Sequence, residues 1–214
     1  MKAVLDRIRR LTDGSVEKRG MWPYLLFLLI FIFSCFLISQ LFFPGGYSPG
    51  SYYISAQGNV SINPVGSYFF IFGVGITGIL LIPYFTFLYR RIRPIWELGS
   101  LVAMFGGFVG CIGFSLVGFF PRGASVDVIH DTASSITWLG FLVSMIATSV
   151  VIAVGIIMKY RRIDPVKFLL VEVIVLTSGV SVFVVEIPTL SQWMAFITVL
   201  LWLIGTFTII EERI

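Results

Sequence analysis

Asp127, His130 and Asp131 stand close together near the middle of the chain, and His130 is its only histidine. On a helix these positions fall on adjoining faces. An imidazole between carboxylates can accept a proton, hold a ligand head group or serve as one arm of a metal site. Arg122 lies just upstream, so a cation stands beside the cluster. Two readings stay open. In the structural one, Ser125 caps a helix, Asp127 occupies its first turn where negative charge is favoured, and His130 is held by a neighbouring carboxylate. In the functional one, His130 is a general base oriented by Asp127 or Asp131, or it shares a ligand site with Arg122.

Other polar residues can join that site. The segment from Gly45 to Asn63 carries no charge but contains Tyr47, Tyr52, Tyr53, Gln57 and Asn59. It is expected to fold over the mouth of the bundle as a lid. Glu186 and Gln192 flank a later turn. The candidate ligand-binding set is therefore Arg122, His130, Asp127, Gln57, Asn59, Glu186 and Gln192, with His130, Asp127 and Asp131 as the catalytic candidates. Asn59-Val60-Ser61 is also a formal glycosylation sequon, a short and unspecific match.

Several chemistries are excluded. A b-type haem needs paired histidines and the zinc-dependent seven-span lipid hydrolases need several, whereas this chain has one. There is no Gly-rich phosphate loop, while a Ser–His intramembrane hydrolase stays formally open, since serines abound. Cys35 and Cys111, the two cysteines, lie in apolar spans and read as packing residues. No cofactor or metal is expected.

The elements that must position these residues are membrane spans. The chain is 57% hydrophobic and 12% charged, with a mean hydropathy of +0.99. A soluble domain is about a quarter charged. The apolar residues come in blocks of about 20, the length a helix needs to cross the hydrocarbon core. Six spans are expected, over about 23–43, 64–89 (with Pro83 as a kink), 97–120, 128–158, 165–185 and 192–210. Trp22, Trp96 and Trp193 sit at span ends, as interfacial belts require. The first span is too long for a signal peptide and ends without a cleavage site.

Fourteen of the fifteen Lys and Arg residues fall in the two termini and the second and fourth loops. Arg122 is the exception. Positive charge marks the cytoplasmic side, so both termini are read as cytoplasmic and Arg122 as external. Residues 1–20 form a basic tail with Val4, Leu5, Ile8 and Leu11 at helical spacing. This fits an amphipathic helix on an anionic leaflet or a plain topogenic tail. Residues 21–214 form one all-α, six-helix transmembrane domain.

In lipid, close helix contacts are marked by small residues. The third span carries Gly99, Ala103, Gly107, Cys111 and Ser115 at four-residue intervals, widened by Gly106, Gly110 and Gly118. It should be central, with neighbours close on at least one side; the fourth span repeats the device at Gly140, Ser144 and Thr148, and the second carries Gly73, Gly75 and Gly78. Within spans, Glu172 is the ionisable residue most exposed to lipid cost. Glu97 begins the third span and is expected to pair with Arg91 or Arg93.

Three segments together resemble the FRAG/DRAM/SFK superfamily of six-span proteins, including its uncharacterised prokaryotic branch. They are Tyr53-Ile54-Ser55-Ala56-Gln57-Gly58-Asn59 followed by Pro64; Gly113-Phe114-Ser115-Leu116-Val117-Gly118-Phe119-Phe120 with His130 beyond; and Gln192-Trp193-Met194-Ala195-Phe196 with Leu201, Gly205, Thr206 and Phe207. The resemblance covers most of 47–207 and carries over to Ser55, Gly58, Pro64, Gly118, His130, Trp193 and Phe207. It implies lipid handling. The chain departs at Gln192, where many relatives have Glu.

The expected function is thus a non-enzymatic plasma-membrane protein that binds or organises lipid through a polar outer pocket, with Arg122 anchoring a phosphate. The alternatives are a lipid-modifying enzyme using His130 and a small proton-coupled carrier using Glu172. Membrane lipid is the expected partner, nucleic acid is not, and a homo-oligomer or a membrane-protein partner fits the same sequence.

Overall fold

The computed structural model describes residues 2–123, 127–160, 163–184 and 186–210. Ser125, expected as a helix cap, and the basic residues Arg161, Arg162 and Arg213 lie outside them.

An amphipathic helix α1 (Lys2–Thr12) precedes six long helices: α2 (Lys18–Leu41), α3 (Gly66–Ile92), α4 (Glu97–Phe119), α5 (Asp127–Ile157), α6 (Pro165–Val184) and α7 (Pro188–Ile209). A 3-10 helix, Ile54–Gly58, interrupts the loop after α2. The shortest of the six, α6 at 20 residues, rises about 30 Å, enough to cross a bilayer core. All six are apolar enough to span a membrane. The chain is a six-span, all-α bundle.

The helices begin and end for identifiable reasons. α2 starts at Lys18, before the apolar run, because Lys18 and Arg19 extend the helix beyond the hydrocarbon. Pro188 supplies the first turn of α7, where a missing N–H costs nothing, so that helix starts ahead of Gln192. Asp164 accepts the backbone N–H groups of Val166 and Lys167 at 3.0 and 3.1 Å and caps α6.

α4 lies between α3 and α5, as its small residues require. At Gly140 a Cβ would lie 2.3 Å from the Gly110 nitrogen, and at Gly118 it would lie 2.3 Å from that of Gly75. These distances allow only backbone against backbone. Ser144 adds a hydrogen bond from its hydroxyl to the Ala103 carbonyl at 2.6 Å. α2 packs on α3, and α6 packs on α7 as a second hairpin.

The α6–α7 hairpin joins this body mainly through large side chains. The buried Tyr84 hydroxyl donates to the Leu203 carbonyl (2.9 Å), and Trp202 stacks on Phe85. Lys18 Nζ reaches the Ile210 carbonyl at 2.6 Å and lies 5.0 Å from the Phe207 ring centre. Ser149 donates to Glu172 at 2.7 Å, tying α5 to α6. Otherwise α6 is little buried, with Val175 its one buried residue.

One end of the bundle gathers Lys18, Arg90, Arg91, Arg93 and Lys159, and Arg122 lies at the opposite, distal end. At the basic end Arg93 pairs with Glu97 at 2.7 Å, both exposed. α1 docks there through Gly14. Its φ of +71° is open to glycine, and a Cβ would meet the α3 backbone at 2.6 Å. Val4, Leu5 and Ile8 of α1 stay exposed.

Candidate functional site

At the distal end the loop after α2 is built into the bundle by Asn63. Its side chain is fully buried. Its amide nitrogen donates to the Gln57 carbonyl at 2.9 Å and the Ser39 hydroxyl at 3.1 Å, and its oxygen accepts the Gly66 N–H at 3.1 Å. One residue therefore fastens the end of α2, the 3-10 helix and the start of α3. Ile54, Ser55, Gln57 and Gly58 are buried as a result. The expected lid exists, but it is an integral roof.

Tyr47 holds the roof from the other side. Its hydroxyl accepts Trp193 Nε1–H at 2.7 Å and donates to the Tyr52 carbonyl at 3.1 Å. Burial pushes its phenol above the usual tyrosine range, only partly offset by the Trp193 bond. The Gln57 side chain lies near this hydroxyl, outside hydrogen-bond geometry. It is fully buried, and neither amide atom has a partner among the described residues.

The charged candidates gather elsewhere, on the turn from α4 to α5. Arg122 pairs with Asp131 at 2.5 Å, both partly exposed. Asp127 accepts the Gly123 N–H at 2.8 Å. His130 is 1% exposed, and its Nδ1 lies 2.9 Å from the Phe120 carbonyl at the end of α4. A carbonyl there needs a donor, so Nδ1 carries a proton. Asn59 joins this group from the roof, packing against the Gly123 backbone. Glu186 is exposed on the α6–α7 turn.

Beneath the roof runs an apolar cleft between the α6–α7 hairpin and the α2–α5 body. Its distal part is lined by Phe36, Ile54, Ser55, Ser134, Gln192 and Phe196 among others. The deeper part continues past Thr137, Leu200 and Leu203 to Trp22. The two share Phe114, Thr137, Trp138 and Phe196. From Gln192 to Leu203 along α7 the cleft extends about 17 Å, more than half the ~30 Å hydrocarbon thickness. Trp22, Trp138 and Leu200 are partly exposed, which leaves side openings toward the bilayer.

Of the seven binding candidates, only Gln192 lines this cleft. Its Oε1 accepts the Ser55 N–H at 3.4 Å, a long bond. Arg122, Asp127, His130 and Asn59 come together with Asp131 at the α4–α5 turn, Gln57 sits inside the roof, and Glu186 has no hydrogen bond or ion pair among the described residues. Ser134 and Asn63 are the polar residues that reading by charge passes over. Asn63-Pro64 was a usable signal, since Asn-Pro initiates turns. Ser134 carried none, being one of many span serines.

The fold and this cleft define a multi-pass integral membrane protein with an intramembrane cavity roofed by a structured loop. Residues 27–208 match the family described as "Protein of unknown function (DUF998)", and the chain belongs to that family. No curated protein and no solved structure matches it.

Proposed function

We propose that this DUF998 protein is a non-enzymatic plasma-membrane protein, both termini cytoplasmic, that binds or organises lipid beneath its outer face. The cleft carries this reading. It is apolar along most of its length, with Thr77 and Thr137 its polar residues away from the roofed end, and it is open sideways to the bilayer. A water-soluble substrate gains nothing from such walls, whereas a hydrocarbon chain fits them without leaving an apolar medium. The resemblance to the FRAG/DRAM/SFK superfamily enters as a proposal of kinship, and its lipid theme points the same way.

The test uses a photoreactive acyl-chain probe with the full chain in nanodiscs, crosslinked sites being mapped by mass spectrometry. Crosslinks should concentrate on Phe114, Trp138 and Phe196, and Thr137→Trp, which fills the cleft, should remove them. Labelling spread evenly over lipid-facing positions such as Phe183 of α6 would sink the reading. Turnover of a labelled lipid that disappears in His130→Ala would put an outer-leaflet enzyme in its place. Proton flux lost in Glu172→Gln would do the same for a carrier.

A further inference from the structure

We infer that the lipid held in this cleft has an uncharged, oxygen-bearing head group, such as a long-chain alcohol or a glyceride, and not a phosphate. The inference rests on the lipid reading above and specifies its ligand.

The polar end of the cleft is made by Ser55, Ser134 and Gln192. All three are neutral. Among the described residues no hydrogen bond engages the hydroxyls of Ser55 and Ser134 or the amide nitrogen of Gln192. The same small space thus holds two hydroxyls, each able to donate and accept, and an amide with two N–H donors. These match an alcohol or ester oxygen in number and kind.

A phosphate fits poorly for two reasons. No Lys, Arg or His lines either part of the cleft, so nothing there offsets the hydration a buried anion loses. The 3-10 helix also roofs this end, fixed by Asn63 and by the Tyr47–Trp193 bond, and takes away part of the water that would hydrate a charged head group there. Arg122, the cation that invites an anionic ligand at this end, is engaged with Asp131 on the α4–α5 turn and lines neither part.

The experiment compares two photoreactive probes with identical acyl chains, a diacylglycerol and a phosphatidate, against the full chain in phosphatidylcholine nanodiscs. Diacylglycerol should crosslink within the cleft roughly tenfold more than phosphatidate, and Ser134→Ala with Gln192→Leu should reduce its yield roughly tenfold. Ser134→Ala alone guards against misfolding, since it deletes a hydroxyl without a protein partner among the described residues and should lower diacylglycerol labelling while the thermal unfolding midpoint stays in place. Equal or stronger cleft labelling by phosphatidate overturns the neutral-head inference and leaves the lipid reading standing. Diacylglycerol labelling that the Ser134 and Gln192 changes do not alter also overturns it. Absence of cleft crosslinks from both probes overturns the two together.

Discussion

His130 and Asn63 show how one buried polar side chain can hold separate elements together. His130 supplies the donor that the Phe120 carbonyl at the end of α4 needs, from the first turns of α5. His130→Ala leaves that carbonyl short of a partner and opens space at a 1%-exposed position. It should cost about 1–3 kcal/mol, read as a lower midpoint of thermal unfolding in detergent. An unchanged midpoint would return the residue to the list of groups kept for chemistry. Asn63→Ala removes the bonds to Gln57, Ser39 and Gly66 together. We expect a loss of about 2–3 kcal/mol and faster hydrogen exchange through the 3-10 helix Ile54–Gly58, while exchange in the α4–α5 contact stays slow. The sequence displayed His130 because it is unique, and displayed Asn63 only as a loop boundary. What Asn63 does depends on Ser39, 24 positions upstream, as well as on Gln57 and Gly66 close by along the chain, so no local pattern contains the whole set.

At the scale of elements, the α4–α5 contact should be the least tolerant part of the bundle. Gly140→Ala puts a methyl into the Gly110 backbone, where neither side can yield by changing a rotamer. A cost of about 1–3 kcal/mol follows. Gly179→Ala on α6, whose Cβ meets nothing closer than 4.0 Å, serves as the comparison and should be near neutral. The start of α6 is pH-dependent. The Lys167 and Val166 N–H groups hold the Asp164 carboxyl below its ordinary value of 3.8. A depressed folded pKa means that the cap contributes above about pH 3.8 and is lost as the pH falls through the folded value. The protection factors of the Val166 and Lys167 amides, measured against their intrinsic exchange rates at each pH, should therefore be constant down to about pH 4 and fall below that. Asp164→Asn, which keeps an acceptor but cannot titrate, should abolish the fall. Small-residue spacing made the central place of α4 legible before any coordinates, because a stripe of Gly, Ala and Ser has one physical use in lipid. The loose seating of α6–α7 was not legible, since hydropathy scores a span that faces lipid and a span that faces a cleft alike.

For the whole molecule, the charge split makes a prediction about orientation. A cysteine at Ser48 should react with a membrane-impermeant thiol reagent added to intact cells, and one at Glu17 should react only after permeabilisation. Native Cys35 and Cys111 are buried and give little background. The reverse pattern would invert the topology and move the roofed end of the cleft to the cytoplasm. The number of spans, the all-α class, the basic end and the central place of the small-residue helix followed from composition and spacing alone. Each is a one-dimensional consequence of solvation: twenty apolar residues must cross, charge must stay out, and backbones approach where side chains are small. The site did not follow. Arg122, Asp127, His130 and Asp131 attract attention as charges, yet their first use is to satisfy one another and a helix end. The cleft is made of Phe, Leu, Trp and Thr indistinguishable in sequence from lipid-facing neighbours. Only the tertiary arrangement, with a hairpin held off the bundle by aromatic side chains and a loop pinned over one end, turned those residues into a cavity.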